Sequence, residues 1–350
     1  MAERGIATVG LIVGGLAAAV GIVAVGTGGI SLPWAGAIFS GGILTTVGFS
    51  LTRHGVLSRE AGTTLAALGS VLLLGSAVMI LLDSPAGAVP YGIIAGIVGL
   101  AVLGLAIADI SGTNPRSIAS GIRAISVSVV LMLTGFIAAA MLLAIPELLP
   151  LNLTTVAASA YEQLALGIGF VVVTLGFLIV SGRQLGYLDI QWPDRRAMVW
   201  MATGIVLVIG SALGLGLIYS LLGIEGAEHE LYDRAREDAF ILLVGMPLTL
   251  VATAVGEEVL YRNGIQKYLT ERFAPAIAVV VTSILFAVAH LSALVAAGAT
   301  GLVATLSVIF VLSIIIGTIY EHIRNVLVPI AIHGSYNVFV FALWYLDLAG

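Results

Sequence analysis

Cysteine is absent from all 350 residues. Neither disulfides nor thiolate metal ligands are therefore available. Charge is scarce too. Asp, Glu, Lys and Arg make up 9% of the chain, against roughly 25% in a soluble domain, and so few charges cannot cover a water-facing surface. Strand-like alternation of polar and apolar residues is missing, which argues against a transmembrane barrel. The net charge of −5 offers no basic surface, so no nucleic-acid partner is expected. His-Glu-x-x-His, the usual zincin signature, is also missing.

What remains is apolar: 60% of the residues are hydrophobic. They fall into runs of about 18–25 residues, enough to cross a ~30 Å hydrocarbon core as helices. The expected fold is all-α, a polytopic transmembrane helical bundle of about eleven spans. These are read at 5–25, 34–51, 61–82, 92–110, 124–145, 163–181, 197–222, 239–260, 275–294, 302–320 and 326–346. Breaks such as Asp83-Ser84-Pro85, Asn114-Pro115-Arg116 and Trp192-Pro193-Asp194 carry turn punctuation. The first run is longer than the h-region of a signal peptide and its flank, Met-Ala-Glu-Arg, is barely basic, so it reads as a retained signal-anchor.

Basic residues set the orientation. With eleven spans, twelve of the fourteen Lys and Arg residues share one side, leaving Arg234 and Arg236 on the other. This predicts the N-terminus inside and the C-terminus outside. Three regions follow: a scaffold of about seven spans over 1–222, a charged outer loop over 223–238, and a four-helix core over 239–346. The loop holds Glu225, Glu228, Glu230, Asp233, Glu237 and Asp238 around the two arginines, and reads as a solvated loop or a short surface helix. The scaffold is rich in Gly and Ala, with pairs such as Gly10/Gly14 and Gly92/Gly96 at a spacing that lets helices approach.

Chemistry is confined to the last region. Intramembrane ionisable residues cost about 2.5–3.5 kcal/mol each on insertion scales and persist where they pair, line a wet cavity or react. Glu257-Glu258-x-x-x-Arg262 closes the eighth span. Residues four apart share a helix face, so Glu258 is placed to pair with Arg262, while Glu257 points elsewhere and lacks that cation. A buried carboxylate of that kind suits a general base. Phe286-x-x-x-His290 lies in the ninth span, and His333-x-x-x-Asn337, again four apart, in the last. Taken singly, each cluster reads equally as an interfacial ion pair or a helix-helix hydrogen bond.

Together, and in this order, the three motifs resemble the CPBP intramembrane proteases, which include the type II CAAX prenyl endopeptidases and the bacteriocin-immunity (Abi) proteins. The run from Gly317 and Tyr320 through Val328-Pro329 to His333 looks like the family's approach to its last motif. The resemblance covers about 239–345. It implies an intramembrane endopeptidase in which Glu257, helped by His290, activates water. His333 and Asn337 would donate to the oxyanion, and Glu258 with Arg262 would orient the helix. No cofactor is required on that reading. A zinc variant stays open, with Glu257, His290 and His333 as ligands and Glu258 as base. The resemblance further implies a membrane-embedded or lipidated peptide substrate, while composition and topology imply the lipid bilayer as surroundings and a multi-pass place in the cell membrane with the site open to the cytoplasmic side. A proton-coupled secondary transporter and a catalytically silent Abi-type scaffold are the competing readings.

Overall fold

The computed structural model describes residues 3–27, 30–83, 88–111, 115–149, 151–227, 229–294 and 299–350. Every regular element among them is helical. In chain order they are α1 (Glu3–Thr27), α2 (Leu32–Arg53), α3 (Arg59–Asp83), α4 (Val89–Ile110), α5 (Pro115–Leu143) and the single turn α6 (Ile145–Leu148). Then come α7 (Thr155–Val180), α8 (Arg195–Leu221), the short α9 (Glu230–Glu237) and α10 (Phe240–Thr270). The last are α11 (Pro275–Ala289), α12 (Ala299–Ile323) and α13 (Leu327–Ala349). Ten of the described helices are long and apolar enough to cross a membrane. The chain is thus an all-α, multi-pass membrane protein.

Two elements differ from their expected form. The ninth expected span, 275–294, is the 15-residue α11 followed by a 3-10 turn at His290–Ala293. Fifteen residues cover about 22 Å at 1.5 Å per residue, short of a full crossing. The eighth was expected to stop near 260, where the apolar run ends, yet α10 continues to Thr270. Its polar residues find partners inside the protein, so the helix outlasts its own hydrophobicity. It is also wound wide, in π geometry, at Thr249–Thr253 just after Pro247 and again at Val259–Gln266. Such wide turns are rare and frequent at functional sites.

The chain divides into two compact units, Met1–Gly121 with Ala296–Val303, and Ile122–Val295 with Ala304–Gly350. In the first unit α1 to α4 pack through small residues. Asp109, 3% exposed, is held there by Arg59 at 3.3 Å and by the Thr63 hydroxyl at 2.9 Å.

In the second unit the helices before 239 pack directly on those after it, which explains the boundary. Glycines make this close approach possible. A Cβ on Gly256 of α10 would lie 2.5 Å from the Cα of Gly167 on α7. The two backbones therefore touch one residue before Glu257. The loop between α7 and α8 is fastened by Asp189, whose carboxylate accepts from Lys267 at 2.6 Å and from the Tyr320 hydroxyl at 2.7 Å. Its carbonyl accepts from the Val326 N–H at 2.7 Å. One residue thereby ties α10, α12 and the start of α13.

The charged segment after α8 forms α9. Arg234 pairs with Glu162 at 2.6 Å and Glu230 at 3.1 Å, and the Tyr232 hydroxyl donates to Asp347. His229 caps this helix, its Nδ1 accepting from the Leu231 N–H at 3.1 Å. Burial first, and then His290, push the His229 imidazole down to about 4, against the pull of Glu230. Unfolded, the ring takes its proton near pH 6.5. The capping contribution is therefore complete above about pH 6.5 and lost as pH falls through that window. Asn caps without titrating, so wild type is expected to lose stability relative to His229→Asn between about pH 7 and pH 5. Melting curves of both proteins in detergent check this.

Candidate active site

Glu257 and Glu258 are neighbours on α10, so their side chains leave the helix about 100° apart. Glu258 accepts from the Arg262 Nε at 2.7 Å, and both side chains are 0% exposed. The other guanidinium donors go to Gln266 Oε1 and to the Ser313 hydroxyl on α12, each at 3.1 Å. The guanidinium carbon stands 5.8 Å from the centre of the Phe286 ring. Gln266 in turn donates to the Gly317 carbonyl at 2.9 Å. A Cβ at Gly317 would sit 3.0 Å from Arg262 Nη1 and 2.8 Å from Gln266 Oε1. Glycine is what lets α12 reach that close to the cation.

His333 arrives from α13 and is 6% exposed. Its Nδ1 lies 2.9 Å from Glu258 Oε1 and its Nε2 3.5 Å from Glu257 Oε2. Glu258 accepts from Arg262 through its other oxygen, and the network places a proton on Nδ1 for Oε1 to accept. Nε2 then faces a second carboxylate, and the contact is attractive when a proton sits between the two. Placed on His333, that proton leaves Glu257 and Glu258 negative and Arg262 and His333 positive. The cluster is then neutral, as a buried set of charges must nearly be.

The other two expected residues lie close by without joining this cluster. His290 begins the 3-10 turn after α11, and its Nδ1 donates to the Phe286 carbonyl at 2.8 Å. Its ring is 4.7 Å from Phe286, which is 5.7 Å from His333, and it lies within electrostatic reach of His333. Asn337, one turn beyond His333, donates to the Thr249 hydroxyl of α10 at 2.9 Å. Glu257 thus has His333 as its neighbour, where His290 was the expected helper. Phe286 is the hub that both histidine rings pack against.

Residues 239–339 match the family model described as type II CAAX prenyl endopeptidase Rce1-like. The Rce1-like segment contains all seven residues of the three motifs and supports the CPBP resemblance. It leaves residues 1–238 outside. No curated protein and no solved structure matches the chain.

Within the Rce1-like segment, sequence reasoning missed Gln266, Ser313 and Thr249, which hold Arg262 and Asn337. Gln266 continues the i,i+4 series from Arg262 and was findable. Ser313 and Thr249 are single hydroxyls in apolar helices and carried no signal. Among the described residues, no three His, Asp or Glu side chains are gathered so as to hold a metal ion. One nitrogen of each site histidine, Nδ1, donates to a protein acceptor, which leaves Nε2 to face the site.

Proposed function

We propose that the protein is an intramembrane endopeptidase of the CAAX-processing type, with Glu257 as the base that activates water. The observation that supports it is the buried Glu257–His333 contact, with Glu258 and Arg262 behind it. Glu257 takes a proton from water as the water oxygen attacks the scissile carbonyl carbon. His333, carrying its proton on Nε2, donates to the oxygen that becomes negative. A donor placed there is worth about 10²–10³ in rate. The proton on Glu257 passes to the leaving amine as the carbon–nitrogen bond breaks. Asn337 becomes the second donor to that oxygen by turning from Thr249. His290, whose Nε2 is not used by Phe286, accepts from the water on its other side. No step calls for a metal.

The substrate on this reading is a membrane-associated peptide with a lipidated cysteine near its end, entering from the cytoplasmic side of the cell membrane. The test uses the full chain purified in detergent and a farnesylated CAAX-type peptide. Release of the C-terminal fragment, unchanged by a zinc chelator, is the expected result. Release that a chelator abolishes rejects the metal-free mechanism. An intact peptide, with a Glu257-dependent proton flux in liposomes, rejects the protease in favour of a carrier. Because the natural chain has no cysteine, single cysteines introduced beside Arg272 and in α9 report sidedness directly. Labelling of the Arg272 position from the cytoplasmic side is expected.

A further inference from the structure

Tyr261 lies one turn after Glu257 on α10 and is 1% exposed. Its hydroxyl is buried and has no hydrogen-bond partner among the described residues. The ring is well packed. It stands edge-on to Phe286 at 4.9 Å and to Phe170 at 6.3 Å, inside a cluster that includes Leu260, Ile265 and Ala278. A phenylalanine would fill that space equally well. A buried hydroxyl without a partner is costly, and native proteins rarely leave one so.

The direction of the side chain gives the hydroxyl a use. Long side chains on a helix lean back over the preceding turn, and residues four apart share a face. The Tyr261 phenol therefore leans over the turn that carries Glu257, and the Phe286 ring that it meets edge-on also packs against His333, the neighbour of Glu257. Phe286 carries the phenol on one side and both histidine rings on others. The hydroxyls of Thr282 and Ser283 on α11 are likewise buried without partners among the described residues, but that of Tyr261 is the one carried by the helix of the base.

We propose that Tyr261 is a further catalytic residue, its hydroxyl donating a hydrogen bond to the water that Glu257 activates. The inference rests on the hydrolase reading above. The water gives one O–H to Glu257 and accepts from the Tyr261 O–H, keeping one lone pair for attack on the carbonyl carbon. As its proton moves to Glu257, negative charge grows on the water oxygen and the phenolic donor stabilises it. Tyr261 itself gains and loses no proton.

Tyr261→Phe removes a single oxygen and gives the test. A residue that only fills the core predicts unchanged turnover. A donor to the attacking water predicts a kcat lower by on the order of 10²-fold, with KM unchanged because the bond strengthens in the transition state. The melting temperature is expected to hold or rise, since the ring packing is kept and an unsatisfied group is removed. Full kcat in Tyr261→Phe overturns the proposal. A second readout does not need turnover. The infrared carboxyl band of Glu257, identified by its loss in Glu257→Gln, is expected to shift in Tyr261→Phe. If the wild type cleaves no peptide, the hydrolase reading fails, and this band still decides whether the hydroxyl acts on the hydrogen bonding of Glu257 through the shared water. An unmoved band means that it does not.

Discussion

Glu257→Gln is expected to lower the hydrolysis rate by about 10²–10⁴-fold while leaving the fold intact, the loss typical of a missing general base. The substitution keeps the size and the hydrogen-bonding oxygen of the side chain. It removes the ability to take a proton and the negative charge that faces His333 at 3.5 Å. A neutral amide removes one of the two carboxylates that face His333 and leaves Glu258 at Nδ1, so the proton on Nε2 is held less tightly as the base is lost. Both halves of the chemistry fail together, and kcat should fall with little change in KM. Single-turnover cleavage in detergent measures this directly, with a melting curve as the control for folding. Activity near the wild-type level would move the base away from Glu257.

Glu258→Leu should have the largest effect on stability. It leaves the Arg262 guanidinium, 0% exposed, without its carboxylate. Breaking a buried pair by removing one partner costs about 3–5 kcal/mol. Unfolding in a mixed-micelle detergent titration reads that loss. The double variant Glu258→Leu/Arg262→Met replaces both charges with apolar groups, which is often close to neutral, so stability should return. Activity should not return, because His333 Nδ1 has lost the acceptor that orients it. A double variant that is both stable and active would show that Glu258 does not position His333.

Much of this was legible in the chain. The i,i+4 rule paired Glu258 with Arg262 and set Glu257 apart, since helical geometry decides both. Apolar run lengths found the crossing helices because hydrocarbon thickness selects them. The failures share a cause. Hydropathy reports what a residue would do facing lipid, and it ended α10 at its polar stretch, where Arg262, Asn263 and Gln266 are buried in protein. The same scale gave α11 a full span, because it cannot see a helix stop at His290. Spacing within one helix also says nothing about a partner on another. The contact of His333 with Glu258, two carboxylates sharing one imidazole, belongs to the packing of α13 on α10.

The meeting of two bare backbones at Gly167 and Gly256 has a mechanical consequence. At that point no side chain lies between α7 and α10 to absorb a displacement, and Glu257 is bonded to the residue at the pivot. Any lean of α7, as when a thinner or thicker bilayer tips it, is handed on undamped to the reacting carboxylate. Lipid composition would then act as a throttle on the chemistry.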